Sequence, residues 1–272
     1  MSFEPLIRVL MFFTTLGVMS LWERAAPCRR WVAASSARRW HNLGLAILNT
    51  LLVRLFFPLA AVGLAVVAEE RGWGLWQAVS LPYAWAVVLS VVILDGIVYL
   101  HHVLFHALPT LWRIHRVHHA DQDFDVTTGL RFHPLEALMS MAVKSAVVVA
   151  LGAPPLGVLL FELILSTTAM FNHSNVSLPP AWERVLRWFV VTPDMHRVHH
   201  SVVVAETNSN YGFSLPWWDY LLGTYRPHAA LSQTEMTIGL KEYQQDESVE
   251  RIPGMLWLPF RQERLNPGIV EE

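Results

Sequence analysis

The five residues His115-Arg116-Val117-His118-His119 recur without change as His196-Arg197-Val198-His199-His200. Protein cores are built mainly from aliphatic and aromatic side chains, so packing does not explain three imidazoles in each copy. On a helix, positions i, i+3 and i+4 lie on one face, and each copy can therefore turn its three imidazoles toward a common point. Because imidazole is a common ligand of iron, zinc, copper and nickel, the repeat predicts two metal ions or one shared cluster. The alternative is a pair of surface histidine patches.

The composition around this repeat is that of a membrane protein. Of the 272 residues, 53% are hydrophobic and only 15% are charged, and the mean hydropathy is +0.35. The net charge of -2 and the pI near 6.7 lack the basic excess of a nucleic-acid-binding protein, so no nucleic-acid partner is expected. The single cysteine, Cys28, excludes an internal disulfide, an all-cysteine zinc site and an iron–sulfur cluster held by this chain alone.

Long apolar runs predict an all-α, integral membrane helical bundle. The first run extends from about Leu6 to Trp22, the second from about Leu43 to Ala68 and the third from about Leu81 to Phe105. Pro58 predicts a kink in the second run. These runs account for about three full spans.

The next apolar region is interrupted at residues 152–157 by two glycines and two prolines. It is thereby divided into two stretches of about fifteen residues, each marginal as a separate span. This pattern indicates a hairpin that enters the membrane and returns to the side it left. Lys144 lies on the first arm and Glu162 on the second, where we expect them to form a charge pair.

An arginine-rich loop predicts the orientation of the bundle. It carries Arg24, Arg29, Arg30, Arg38 and Arg39. Short loops of this kind stay in the cytoplasm, so the amino terminus faces out and both histidine repeats lie in a cytoplasmic cap. Because the positive charges follow the first apolar run, we interpret that run as an uncleaved spanning helix and not as a signal peptide. The residues expected to anchor the cap at the membrane interface are Trp217, Trp218, Trp257 and Phe260.

Further histidines flank both copies of the repeat. His102 and His106 share one stripe at the end of the third span, and His173 follows the second arm of the hairpin. The candidate metal ligands are nine imidazoles: His102, His106, His115, His118, His119, His173, His196, His199 and His200. A single tetrahedral zinc or a single facial-triad iron needs fewer, whereas two ions with four or five ligands each would use them all.

Neighbouring polar residues are candidates for supporting the ligands. Neutral imidazoles do not cancel the charge of two divalent ions, so carboxylates are expected to orient ligand N–H groups. Asp194, two residues before the second copy, is the first candidate, and Asp219 is another. Asp95 either bonds a histidine across the bundle or satisfies a neighbouring helix. His133, at the start of the hairpin, either supports the ligands, which we favour, or binds metal itself.

This histidine pattern resembles the fatty acid hydroxylase / sterol desaturase superfamily of integral-membrane di-iron oxygenases, in particular its bacterial sterol desaturase-like branch. The motifs of that superfamily, His-x3-His followed by two copies of His-x2-His-His, are matched in order by His102/His106, His115/His118/His119 and His196/His199/His200. Residues 131–136, 171–175 and 218–224 also resemble that branch. The resemblance covers about residues 81–261 of a single predicted domain, 1–272, in which residues 1–80 form amino-terminal transmembrane helices. Ser177 stands where some members carry a further histidine, four residues after His173.

The resemblance implies two iron ions, O2 as co-substrate and electrons from a separate donor such as cytochrome b5, ferredoxin or a reductase. It implies an oxidoreductase of a bacterial inner membrane, with its active site on the cytoplasmic face, that hydroxylates or desaturates a fatty acyl, sterol-like or ether lipid. Ether-lipid cleavage within the same superfamily is an alternative, and a non-enzymatic membrane metal carrier and a zinc-loaded protein without redox turnover are others. The sequence leaves the oligomeric state open.

Overall fold

The protein is built from α-helices. The computed structural model describes residues 3–31 and 36–262, and within these ranges it contains no β-strand, only two isolated bridges. The helices are α1 (Glu4–Ala25), α2 (Ser36–Phe56), α3 (Ala60–Glu70), α4 (Leu75–Ala78), α5 (Tyr83–Ala107), α6 (Pro109–His119), α7 (Pro134–Leu151), α8 (Pro155–Asn172), α9 (Pro180–Leu186), α10 (Pro193–His199), α11 (Val204–Thr207), α12 (Trp217–Leu222) and α13 (Ile252–Trp257).

Five segments are long and apolar enough to cross a membrane. Four of them are the single helices α1, α5, α7 and α8. The fifth is the stretch Ala37–Ala78, which contains most of α2 and all of α3 and α4. The chain is therefore an integral membrane helical bundle, which confirms the prediction from its apolar runs. Pro58 lies between α2 and α3, and since its ring cannot continue a helix, the second span bends at the predicted position.

Helices α7 and α8 form the predicted hairpin, but its arms are longer than the sequence indicated. Each has 18 residues and is about 27 Å long. Gly152 ends α7 with a φ of 63°, a left-handed conformation that glycine adopts without strain. The hairpin turn contacts the loop between α3 and α4 so closely that a Cβ added to Gly74 would lie 2.0 Å from the backbone nitrogen of Gly152. Both arms are therefore long enough to cross a membrane.

The membrane-embedded core lies where α3, α5, α7 and α8 meet. Its buried side chains are Ala61, Val62, Ala65, Leu94, Val148, Ala153, Val158 and Phe161. The alanines on α3 allow close approach of neighbouring helices, which is how helices associate in lipid. Helix α1 contacts this bundle mainly through α8, and most of its other apolar side chains are exposed.

The segments that carry the histidine repeats fold over the end of the bundle opposite to the hairpin turn. We call it the histidine end. Arg38 at the start of α2 is joined there to Asp121 and Asp125, with a distance of 2.6 Å between its Nη1 and Asp121 Oδ2. All three side chains are buried. The arginine-rich loop and the histidines therefore lie at the same end of the molecule.

The predicted interfacial anchors are exposed with one exception. Trp217, Trp257 and Phe260 are 41%, 62% and 54% exposed. Trp218 instead turns inward, because its indole N–H donates a hydrogen bond to the buried carboxylate of Asp95 at 2.8 Å.

Candidate metal centre

The nine predicted imidazoles come together at the histidine end in two adjacent groups. In each group, one potential ligand atom per residue lies within 4.8 Å of the others. The five-imidazole group consists of His102, His106, His115, His119 and His199, and the four-imidazole group consists of His118, His173, His196 and His200. All are buried except His106, which is partly exposed. Each group can hold a metal ion.

The two copies of the repeat are shared between the groups, which corrects the expectation that each copy faces one point. In α6, His115 and His119 enter the five-imidazole group and His118 enters the other. In the second copy, on α10 and its C-cap, His196 and His200 enter the four-imidazole group while His199 crosses over. Residues i and i+4 are only about 40° apart around a helix, whereas i+3 lies on the other side of i, so each helix can face two ions.

The nitrogen positions in the four-imidazole group fit an ion. His173 Nε2 lies 3.1 Å from His118 Nε2 and 3.0 Å from His196 Nε2. Ligand nitrogens about 2.0–2.1 Å from a common ion, at angles near 90–110°, are roughly 3 Å apart. The observed separations are those of ligands that share an ion.

Several imidazoles are oriented from behind by backbone carbonyls. The Nδ1 atoms of His102, His173 and His199 lie 2.8, 2.7 and 2.7 Å from the carbonyl oxygens of Tyr211, Ala169 and Ser209. An Nδ1–H that donates to such a carbonyl leaves Nε2 free to bind metal. Inside the groups, nitrogens that are buried without a hydrogen-bond partner include His106 Nε2, His199 Nε2 and both ring nitrogens of His119 and His200. Such atoms are costly unless something binds them, so the donor set fits a metal.

The imidazoles are held in the form that binds metal. Burial lowers the pKa of His115 to about 3, and burial likewise lowers the pKa of His173 to about 3. Both rings are therefore neutral near pH 7, with a lone pair available for an ion.

Glu136, in the first turn of α7, is the carboxylate that orients a candidate ligand. Its Oε1 lies 2.7 Å from His115 Nδ1, and its side chain is only 5% exposed. The sequence analysis did not single it out, although it follows His133-Pro134, where the proline marks the start of a helix. Its position in the first turn and its acidic side chain inside an apolar hairpin were the available signals.

Asp194, the carboxylate expected to orient a ligand, bonds an arginine instead. Its Oδ1 accepts a hydrogen bond from Arg197 Nη1 at 2.8 Å, and among the described residues it bonds no imidazole. Arg197 follows three residues later on α10, so the two side chains form a local ion pair. The expectation for Asp194 was wrong.

Asp219 and Asp95 act on the loop that precedes α12. Asp219 accepts hydrogen bonds from the backbone N–H groups of Tyr211 and Gly212, both at 2.8 Å, and so holds the carbonyl that orients His102. Burial raises the pKa of Asp219. Asp95 accepts hydrogen bonds from Trp218 and the backbone of Leu215, which is the second of its two predicted roles.

The two remaining candidates lie outside both groups. His133 caps α7, because its Nδ1 accepts a hydrogen bond from the backbone N–H of Leu135 at 3.1 Å, and its Nε2 faces the carbonyl of Leu256. Ser177, at the position where a histidine is missing, donates to Cys28 Sγ at 3.3 Å. Ser177 therefore lies outside both imidazole groups.

A cavity of about 430 Å³ leads away from the five-imidazole group into the bundle. His102, His115 and Phe213 line one end of it, and apolar side chains of α5 and α8 line its middle. At the far end, Glu162 Oε2 lies 2.6 Å from Arg8 Nη2 of α1, and Glu162 also pairs with Lys144. The predicted charge pair across the hairpin is present and has a third member.

These features define a membrane-embedded helical protein with two buried groups of imidazoles that could hold metal ions and an apolar cavity beside one of them. The model of the fatty acid hydroxylase family matches residues 87–224, about half of the chain and the part that holds all nine imidazoles. The chain belongs to the fatty acid hydroxylase family. The resemblance seen in its histidine motifs is thereby confirmed.

Several proteins that are similar to this chain are named as lipid hydroxylases or monooxygenases. The ornithine lipid hydroxylase OlsE of Rhizobium tropici is 30% identical over 233 residues, which cover 84% of this chain and 69% of that protein. The alkylglycerol monooxygenase of Xenopus tropicalis is 26% identical over 68% of this chain, and the cholesterol 25-hydroxylase of Rattus norvegicus is 28% identical over 53% of it. The chain matches only 41% and 48% of the lengths of these two proteins. No solved structure matches the chain significantly.

Proposed function

We propose that the protein is an O2-dependent di-iron oxidoreductase that hydroxylates or desaturates a membrane lipid with electrons from a separate donor. The observation that carries this proposal is the position of the five-imidazole group at the end of an apolar cavity inside a membrane bundle. Oxidation of a lipid C–H bond needs such an arrangement, because the site must face the substrate chain while water is kept away.

Two ions are proposed because the imidazoles divide into groups of five and four. When bound, iron with open coordination positions supplies the activation of O2. The chain itself supplies neutral nitrogen ligands, and Glu136 and backbone carbonyls fix the ring orientations. A single structural zinc is disfavoured, since it needs only four ligands and nine imidazoles are gathered here.

The cavity is proposed to hold the lipid chain. Its volume lies within the range of ligand pockets in proteins, and its apolar walls fit a hydrocarbon. His102 and His115 belong to the five-imidazole group and also line the cavity. The carbon to be oxidised is therefore expected beside that group and not beside the four-imidazole group.

Hydroxylation is the favoured reaction over desaturation. Two of the relatives are named as hydroxylases, of ornithine lipid and of cholesterol, and the third as a monooxygenase of alkylglycerol. All three names describe insertion of oxygen. The most similar of these relatives over the greatest length is the ornithine lipid hydroxylase, so a polar membrane lipid is our first choice of substrate.

We place the active site on the cytoplasmic face of a bacterial inner membrane, because the arginine-rich loop lies at the histidine end. A donor such as cytochrome b5, ferredoxin or a reductase would approach from that side. We also propose that residues 1–272 form one domain.

The test combines metal analysis with turnover. Protein produced with iron supplied is purified, its metal content is measured, and O2 consumption is followed with a reductant and ornithine lipid, alkylglycerol or a sterol. We expect bound iron, lipid-dependent O2 consumption, and a lipid product heavier by one oxygen atom. The His199→Ala variant is the control and should lose the product. Protein that carries zinc and consumes no O2, or iron without any lipid product, would contradict the proposal.

A further inference from the structure

A continuous apolar surface lies on α9, the turn after it, and α12. We call it the aromatic face. Its members are large apolar side chains that are 41–74% exposed: Trp182, Val185, Trp188, Phe189, Trp217, Leu221 and Leu222. Because an exposed aromatic or leucine side chain contributes on the order of 100 Å², the face amounts to several hundred Å², which exceeds what single scattered residues would give. A surface of this kind needs a partner.

Two sets of contacts hold the aromatic face together as one unit. The ring of Trp188 stacks on Tyr220 of α12 with 5.1 Å between centroids, and Trp217 Nε1 donates a hydrogen bond to the carbonyl of Trp188 at 2.7 Å. The hydroxyl of Tyr220 donates to the carbonyl of Arg187 at 2.9 Å. The segment after α9 and helix α12 therefore present their apolar side chains on a rigid, shared surface.

The aromatic face lies beside the middle of a membrane-spanning helix. Trp218 packs so tightly on α5 that a Cβ added to Gly96 would lie 2.9 Å from its ring, and Thr224 contacts the hydroxyl of Tyr99 at 2.8 Å. Gly96 is eleven residues from Ala107, the end of α5, which corresponds to about 16 Å along the helix axis. Since α5 is about 37 Å long and a bilayer core is about 30 Å thick, α12 lies at the depth of the hydrocarbon.

We propose that the aromatic face is immersed in the acyl chains of the lipid leaflet on the histidine side, so that bilayer lipid is its partner. The cap would then enter the leaflet beside α5 and α8, in addition to the spans themselves. Charge on α9 agrees with this placement. Glu183 is buried and bonded to Arg187, whereas Arg184 is exposed, and a long cationic side chain at the border of an apolar surface suits lipid phosphate.

Immersion connects the lipid to the metal centre. Asp219 of α12 is fully buried behind the aromatic face and holds the backbone of Tyr211, whose carbonyl orients His102. A helix that contacts lipid is thus separated from a candidate ligand by two hydrogen bonds. This link has a role in catalysis only if His102 binds metal as proposed above, but the immersion itself does not depend on that function.

The test measures depth with spin labels, for which the chain is suited because Cys28 is its one cysteine. In a Cys28→Ser background, single cysteines replace Val185, Phe189 or Leu221, carry a nitroxide, and are placed in phosphatidylcholine–phosphatidylglycerol vesicles. Collision of each label with O2, which concentrates in lipid, is compared with collision with a water-soluble nickel chelate. Label at Leu100, which is 49% exposed on α5 and about 10 Å from the end of that helix, is the lipid control, and label at Glu247, 88% exposed, is the aqueous control.

We expect the three labels to match the lipid control. Their collision rate with the nickel chelate should be several-fold lower than that of the label at Glu247, and their collision rate with O2 should be as high as that of the lipid control. Nickel collision equal to that at Glu247 would overturn the proposal, because the face would then lie in water. Exclusion of both reagents together with dipolar broadening between labels would also overturn it, since a second copy of the chain would then cover the face. The measurement needs no metal and no turnover, so it stands even if the proposed reaction fails.

Discussion

Replacement of Glu136 by alanine is expected to weaken iron binding by about 10–100-fold at the five-imidazole group. The carboxylate accepts the His115 Nδ1–H hydrogen bond at 2.7 Å, and at 5% exposure no bulk water can replace it. Loss of such an outer partner costs about 10–100-fold in metal affinity, which equals about 1.4–2.7 kcal/mol.

The assay loads each purified variant with ferrous iron and measures the iron retained against chelators of graded affinity. Glu136→Gln keeps an oxygen acceptor for His115 and should lose less affinity than Glu136→Ala. Asp194→Asn is the matched control, because Asp194 bonds Arg197 and should leave the chelator curve unchanged. Iron at the four-imidazole group should be retained in all three variants.

Two results would refute this reasoning. One is that Glu136→Ala retains iron against the chelators as well as the wild type does. The other is that Asp194→Asn loses as much iron affinity as Glu136→Ala. Thermal unfolding of the metal-free proteins shows whether Glu136→Ala is still folded, so that a general loss of structure is not taken for a loss of ligand orientation.

Three further predictions concern the metal centre and the hairpin. His199→Ala and His118→Ala remove ligands from different groups, so each should lose about half of the bound iron; full retention, measured by metal analysis, would contradict the ligand assignment. Burial lowers the pKa of His173 to about 3, and the unfolded chain takes up the proton near pH 6.5, so the melting temperature of the metal-free protein should fall as pH decreases below about 6.5. Lys144→Met removes one partner of Glu162 and should destabilise the bundle by about 1–3 kcal/mol, between the values for exposed and buried pairs, as measured by unfolding in mixed detergent micelles; an unchanged transition would contradict this.

The candidate ligands were predictable because their signal is local. Three histidines at helical spacing, repeated once, identify six of the nine imidazoles, and the i, i+4 spacing of His102 and His106 adds two more. Their division into two groups was not predictable from spacing, since either face of α6 could have met either ion. That division depends on how α5, α6, α8 and α10 cross one another.

The residues that support the candidate ligands show the same difference between neighbours in sequence and neighbours in space. Asp194 is close to His196 in sequence, and proximity alone suggested a supporting role for it. Glu136 is 21 residues from His115 and reaches it only because α7 packs against α6. Proximity along the chain is a poor guide to contact, because the first turn of a helix directs its side chains toward whichever element packs there.

The sequence by itself determined the class of structure: apolar runs long enough to span a membrane, an interrupted hairpin, and a set of imidazoles that packing cannot explain. Hydropathy and residue spacing are properties of short segments, so they can be read without knowledge of how the rest of the chain folds. Only the tertiary structure decided the length of the hairpin arms, the sharing of the two histidine repeats, the cavity beside them, and the inward turn of Trp218. Each of these depends on which helix faces lie against each other, and that is set by the packing of the whole bundle.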